Sequence, residues 1–180
     1  AENSKFKIDE NRISYEKQSS ISAKPNLIKR AVKLISKSNK GVIVAGGGVK
    51  YNSKYKDIIK LAKLLNIPIV TAAGHGDAIP FDHSLNAGQM GPRGNPVASR
   101  LVKEADVIIA LGTRLGFNST FYSYENINKK AKIIQVELEK KMLGRYFPIS
   151  IGIHADAATV TKQIYQEIKK RGAKLDIQKW

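Results

Sequence analysis

From Pro25 onward the apolar residues fall into two alternating rhythms. Leu27, Ile28, Ala31, Val32 and Ile35 recur at helical spacing, with Pro25 in a first-turn position that tolerates its missing N–H, and they predict a helix. Gly41-Val42-Ile43-Val44-Ala45 is a continuous β-branched run closed by Gly46, Gly47 and Gly48, which predicts a buried strand. Ser53 is placed to cap a second helix, with Ile58, Ile59, Ala62 and Leu65 on one stripe and lysines opposite. Ile67-Pro68-Ile69-Val70-Thr71 predicts a second strand, with proline at its start, where a lost donor does least harm.

A long Gly- and Pro-containing loop is expected from about Ala72 to Asn95, and loops of that length inside a compact domain are usually functional. A helix follows from near Pro96 through Ala98, Leu101 and Val102. Three further strands are predicted at Val107–Leu111, Lys132–Leu138 and Ile149–Ile153. A last helix runs from about Asp156 to Lys170, carrying Val160, Ile164 and Ile168 at four-residue spacing. Strands that alternate with helices and are apolar on both faces predict an α/β fold: a Rossmann-like, doubly wound, mainly parallel sheet with helices on both faces. Residues 1–23, polar with isolated apolar positions, read as a linker or arm; the domain is placed at 24–172, and 173–180 reads as a linker or tail.

Composition narrows the chemistry. A chain of 180 residues, 42% hydrophobic and 26% charged, suffices for one core. No apolar run approaches bilayer length, and Ala1-Glu2-Asn3-Ser4-Lys5 lacks the basic-then-apolar layout of a secretory signal, so a cytoplasmic location and no membrane contact are expected. Zero cysteines exclude a disulfide framework, thiolate catalysis and a cysteine zinc site, and His75, His83 and His154 are too few for a multi-histidine metal site. A formal charge of +16 raises nucleic-acid binding as a reading. The excess is mostly lysine spread over the first, second and last helices, whereas a surface that tracks phosphates concentrates arginine and interleaves aromatics. Solvated lysine-rich faces are therefore the preferred reading.

In an open parallel sheet, ligands sit beyond the carboxyl ends of the strands. Gly46-Gly47-Gly48 lies there but departs from the dinucleotide fingerprint: Tyr51 stands where its third glycine packs, and the second strand ends in Thr71-Ala72 rather than in a ribose-binding acid. Either the glycines let backbone N–H groups approach a pyrophosphate, or they form a tight turn with no ligand. Arg114, following Gly112-Thr113, offers a planar fork for phosphate, with a surface ion pair as the alternative. Glu137 and Glu139 flank Leu138 and point to one side, available to ribose hydroxyls or to solvent. His75 and Asp77 are close enough in sequence for a general-base pair, although local turn hydrogen bonds are the commoner use of such residues, and no nucleophile adjoins them. His83 and His154 read as structural.

The order of these segments resembles the central domain of the acetolactate synthase-like group of thiamine-diphosphate enzymes over residues 25 to about 170. The resemblance is carried by Gly41 to Val49, Ile67-Pro68, Ile79-Pro80, Asp82-His83-Ser84-Leu85, Gly91-Pro92-Arg93-Gly94, Glu104 to Arg114, Lys132 to Val136 and Gly152 to Ala157. It implies a Rossmann-like sheet that in some members holds FAD or ADP away from the thiamine centre. The implied contacts fall on Gly46, Gly47, Gly48, Thr71, Ala72, Met90, Gly91, Pro92, Arg93, Gly112, Arg114, Glu137, Leu138, Asp156 and Ala157. Flavin-binding acetolactate synthases tend to carry an Arg-Phe-Asp-Asp-like run where this chain has Arg114-Leu115-Gly116-Phe117, and a Met-His pair at Pro92-Arg93. ADP, another nucleotide and an empty site thus stay open beside FAD.

His75-Gly76-Asp77, Phe117-Asn118-Ser119-Thr120 and Ile151-Gly152-Ile153 resemble sulfoacetaldehyde acetyltransferase, whereas Gly144-Arg145-Tyr146-Phe147 is similar to glyoxylate carboligase. In the family, the glutamate that activates thiamine belongs to an N-terminal domain, and the motif for magnesium and diphosphate belongs to a C-terminal one. The resemblance therefore implies a non-catalytic domain, excised from a longer homo-oligomeric carboligase or decarboxylase, that is inactive alone. A free-standing nucleotide-binding module and a basic nucleic-acid-binding protein are the competing expectations.

Overall fold

All five residues of the first strand, β1 (Gly41–Ala45), are buried, as are all five of Val107–Leu111 and the middle four of Lys132–Glu137. Strands apolar on both faces need cover on both faces, and that demand organises the chain. The computed structural model describes residues 20–50 and 55–172. The sequence readings that rest on Tyr51, on the Ser53 cap, on residues 1–19 of the arm and on the tail at 173–180 lie outside the described residues.

In chain order the elements are α1 (Pro25–Ile35), β1, a single-turn α2 (Gly47–Lys50), α3 (Tyr55–Leu65), β2 (Ile69–Thr71), β3 (Asn86–Gln89), α4 (Pro96–Glu104), β4 (Val107–Leu111), a single-turn α5 (Phe117–Thr120), β5 (Lys132–Glu137), β6 (Ile151–His154) and α6 (Ala157–Arg171). The six strands form one sheet in the order β3-β2-β1-β4-β5-β6, and every neighbouring pair is parallel. This is the expected Rossmann-like, doubly wound α/β architecture.

Alternate residues of each strand serve opposite layers. Ile43, Ile109 and Ile134 join a core with Ile28, Val32 and Ile35 of α1, Ile58 and Leu65 of α3, and Val160 and Ile164 of α6. Val44, Ile108 and Ile133 join a second core with Ala98 and Val102 of α4, Met90 and Phe147. Asn95 caps α4 by accepting from the Val97 N–H at 2.8 Å, with Pro96 at its first turn. Contacts reach back before α1: Ala23 exchanges two hydrogen bonds, both 3.0 Å, with the Gln163 side chain of α6, and the Ile21 carbonyl accepts from Asp156 N–H.

One sequence expectation is corrected. The long loop expected from Ala72 to Asn95 contains β3, the edge strand beside β2. Asn86-Ala87-Gly88-Gln89 has no β-branched residue, and Gly88 has φ +92, so nothing local favours extension. Its pairing is imposed by β2, through an irregular register between Ile69 and Thr71.

A candidate nucleotide groove at the carboxyl edge

Between β1 and β4 the sheet order reverses direction: the chain builds outward through β2 and β3 on one side and through β5 and β6 on the other. The loops after β1 and β4 meet at this switch point, beside a crevice in the position where this architecture binds ligands. A basin of about 590 Å³ occupies it, lined among others by Gly47, Gly48, Ala72, Gly112, Arg114 and Glu137. A second basin of about 440 Å³ adjoins it, with Met90, Pro92 and Arg93 in its wall. Ala73, Phe117 and Asn118 border both, so the two form one groove.

The glycines are explained by the packing of the two loops on each other. Gly48 N–H donates to the Gly112 carbonyl at 3.0 Å, and a Cβ at Gly48 would stand 2.8 Å from the Gly112 Cα. Gly112 itself has φ +57, the left-handed region that disfavours side chains. Gly46 N–H is also engaged, by the Leu111 carbonyl at 3.0 Å. Of the three loop N–H groups this leaves that of Gly47, which stands at the first position of α2 and so has no intrahelical acceptor. A Cβ there would come within 2.8 Å of the His75 ring, which folds over the loop.

The charged groups at the rim are held in place. Arg114 pairs with Glu139 at 3.0 Å, with both side chains about half exposed. Glu137 turns back on its own loop, accepting from Leu138 N–H at 3.0 Å and from Glu139 N–H at 3.4 Å. His75 and Asp77 do not pair; Asp77 bonds Lys50 at 2.6 Å, and that ammonium holds its carboxyl below the ordinary aspartate range. His75 lines the groove, and its Nδ1 is buried without a hydrogen-bond partner, as is the Thr71 hydroxyl at the end of β2. Such orphaned buried polar atoms are uncommon.

The remaining predicted residues have other surroundings. Gly91, at φ +103, packs against the backbone of Asn118, and its N–H donates to the Ser99 hydroxyl at 3.2 Å. Leu138, Asp156 and Ala157 are not in the groove lining: the Leu138 carbonyl bonds His154 Nε2 at 2.9 Å, Asp156 caps α6 by accepting from Thr159 N–H at 2.8 Å, and Ala157 is buried in the core.

Sequence reasoning did not place Ala73, Phe117, Asn118 and Tyr122 in the site. Phe117 is 51% exposed where the basins meet, packed edge-on against Phe121 at 5.0 Å, and Tyr122 stacks on Tyr146 at 4.5 Å. A signal was present for Ala73, Phe117 and Asn118, which follow the carboxyl ends of β2 and β4 by two, six and seven positions. Gln135 was also missed. It is buried, donates to the Thr113 carbonyl at 3.1 Å and accepts from Gly144 N–H at 2.8 Å, joining the loops after β4 and β5.

Comparison with known families bears on this fold and groove. The family described as thiamine pyrophosphate enzyme, central domain, matches residues 28–164, which includes every strand and five of the six helices in whole or in large part. The chain belongs to this family. As a thiamine pyrophosphate enzyme central domain it is 38% identical over 137 residues to a sulfoacetaldehyde acetyltransferase of Rhodobacter capsulatus, covering 75% of this chain and 23% of that protein. It is 36% identical over 140 residues to the sulfoacetaldehyde acetyltransferase of Castellaniella defragrans, covering 77% and 23%. It is 34% identical over 140 residues to a probable acetolactate synthase large subunit of Methanocaldococcus jannaschii, covering 78% and 24%. The central domain thus spans about a quarter of the length of the curated relatives it matches. Membership favours the central-domain reading over a free-standing nucleotide-binding module or a basic nucleic-acid-binding protein. Among the described residues no helix is long and apolar enough to cross a membrane.

Proposed function

We propose that this domain serves a thiamine-diphosphate-dependent acetyltransferase acting on sulfoacetaldehyde, and that its carboxyl-edge groove holds an adenine nucleotide of the ADP class. The groove itself carries the nucleotide reading: it is long enough for two subsites, with a guanidinium, Arg114 or Arg93, in each basin and the Phe117 ring between them. A diphosphate suits Arg114 and the Gly47 N–H, ribose hydroxyls suit Glu137, and a planar base suits the aromatic junction. The unpartnered Nδ1 of His75 adds a polar group in want of a ligand. FAD is the second reading. Gly116 and Phe117 replace the acidic pair of flavin-binding relatives, which favours the smaller nucleotide.

In this proposal thiamine diphosphate and magnesium are bound by flanking domains, the domain at 24–172 is non-catalytic by itself, and the whole enzyme is a cytoplasmic homo-oligomer. Thiamine diphosphate supplies the carbanion chemistry when bound; the residues described here bind and position. The sulfoacetaldehyde assignment is supported by His75-Gly76-Asp77 and Phe117-Asn118-Ser119-Thr120, which sit in or beside the groove, and by the names of the relatives.

Thermal melts with ADP, FAD, NAD and coenzyme A test the site. ADP at one hundred times its dissociation constant is expected to add about 2.7 kcal/mol of stability. The absence of a shift with every nucleotide sinks the binding proposal, and failure of the full-length protein to consume sulfoacetaldehyde sinks the substrate assignment.

A further inference from the structure

At the amino ends of β4, β5 and β6, on the sheet edge opposite the groove, a cleft of about 620 Å³ opens beside the second half of α1. Arg30, Lys33 and Lys37 recur at helical spacing along α1 and just past its end, on one side of the cleft, and Lys130 and Lys132 come from the segment entering β5. Leu34, Val107 and Ile151 supply apolar surface between them. Asp106 is the single acid in the lining, and its two carboxylate oxygens accept from Asn39 N–H at 2.7 Å and Lys40 N–H at 3.0 Å. Five cations against one acid leave the lining with a net charge of +4.

None of these five cations makes an ion pair among the described residues, whereas Lys50, Arg100, Arg114, Lys162 and Arg171 each find a carboxylate. The carboxyl end of α1 accounts for basic residues on the helix, since its dipole attracts them. It does not account for Lys130 and Lys132 on a separate segment. Gathering like charges around a concavity is unfavourable unless something of opposite charge relieves it.

We propose that this cleft docks an acidic polypeptide segment, whose carboxylates meet the lysines while its apolar side chains cover Leu34, Val107 and Ile151. The composition of the cleft selects that partner over other polyanions. Four of the five cations are lysines, which do not clamp a phosphate bidentately. α1 turns its carboxyl end to the cleft, so no helix N-terminus offers N–H donors. The lining has no aromatic ring on which a nucleic-acid base would stack. A second copy of this chain is a poor occupant of the cleft, because with 31 basic residues against 15 acidic ones it offers few carboxylates to meet the lysines.

The test uses the full chain and a fluorescein-labelled peptide of repeated Glu-Glu-Leu units, followed by fluorescence anisotropy at low salt. Saturable binding is expected, with affinity falling as salt rises. Lys33→Glu combined with Lys132→Glu should weaken it by about tenfold or more. Lys56→Glu combined with Lys60→Glu on α3, which changes net charge equally outside the cleft, should weaken it by less than about twofold. Lys33→Met with Lys132→Met repeats the test without introducing acids. No binding, equal loss in the cleft and α3 variants, or tighter binding of oligodeoxythymidylate or tripolyphosphate at the same lysines overturns the proposal.

Discussion

Gly48 and Gly112 hold the two loops of the crevice in direct backbone contact: a Cβ on Gly112 would lie 2.6 Å from the Gly48 Cα, and one on Gly48 would lie 2.8 Å from the Gly112 Cα. The floor of the groove is therefore set by two residues more than sixty positions apart in the chain, each of which excludes a side chain on the other.

Gly112→Ala should accordingly destabilise the fold by about 2–5 kcal/mol, combining left-handed strain with an overpacked contact. Gly116→Ala, at a position with open space and no positive φ, should stay within about 0.5 kcal/mol of the parent. Urea midpoints of the two variants check the contrast, and equal midpoints would refute it.

Gln135 makes a second, independent prediction. Gln135→Leu leaves the Thr113 carbonyl and the Gly144 N–H without their partner, at a cost of about 1–3 kcal/mol. Gln135→Glu should cost at least as much, because a carboxylate would face the Thr113 carbonyl. Denaturation curves give the order; a Leu variant as stable as the parent would show that the bridge contributes nothing.

Asp77 is held below its ordinary value first by the hydrogen bond from Lys50. A depressed folded-state value means that the stabilisation is present above the ordinary aspartate value and is lost as pH falls through the lower folded one. The Asp77 carboxyl carbon, followed by NMR, should titrate below that of an unpaired aspartate, and Lys50→Met should move it back up. Added salt should shrink the shift, since the pair is exposed. An unchanged titration in the Lys50 variant would count against the pairing.

Arg114 and Glu139 predict opposite effects on the proposed nucleotide. Arg114→Ala should weaken ADP binding by about tenfold through loss of a charge-assisted contact. Glu139→Gln releases the guanidinium from a surface pair worth about 0.2–1 kcal/mol, so ADP should bind up to about fivefold more tightly. Calorimetric titration separates the two, and a Glu139 variant that binds more weakly than the parent would reverse the reading.

Much of the fold was legible because its signals are local. The buried run at Val107–Leu111 must lie in a covered parallel sheet, and the apolar stripe of α1 must face it. β3 was not legible, because Asn86 to Gln89 acquires its extended form only from β2. In the site, Glu137 was found by its place at the end of a strand and Arg114 by its place just after one. Phe117, Asn118 and Tyr122 were missed because only their nearness to the end of β4 marks them, and a single-turn helix and its flank are too short to carry a periodic signal. The preference of Glu139 for Arg114 depends on two loops meeting across the sheet end.

The sequence by itself determined the alternation of strands and helices, the burial of the sheet on both faces, the carboxyl-edge position of its glycine loops and the family to which they belong. These follow from short-range pattern, since burial and turn chemistry act within a few residues. Only the tertiary structure decided which loop groups remain available: Gly46 and Gly48 N–H are engaged, Gly47 N–H is left over, and Arg114 is paired. It alone also gathered Arg30, Lys33, Lys37, Lys130 and Lys132, about a hundred residues apart, around one cleft. Hydrogen-bond satisfaction and charge density are properties of assembled neighbours, and no span of sequence contains them.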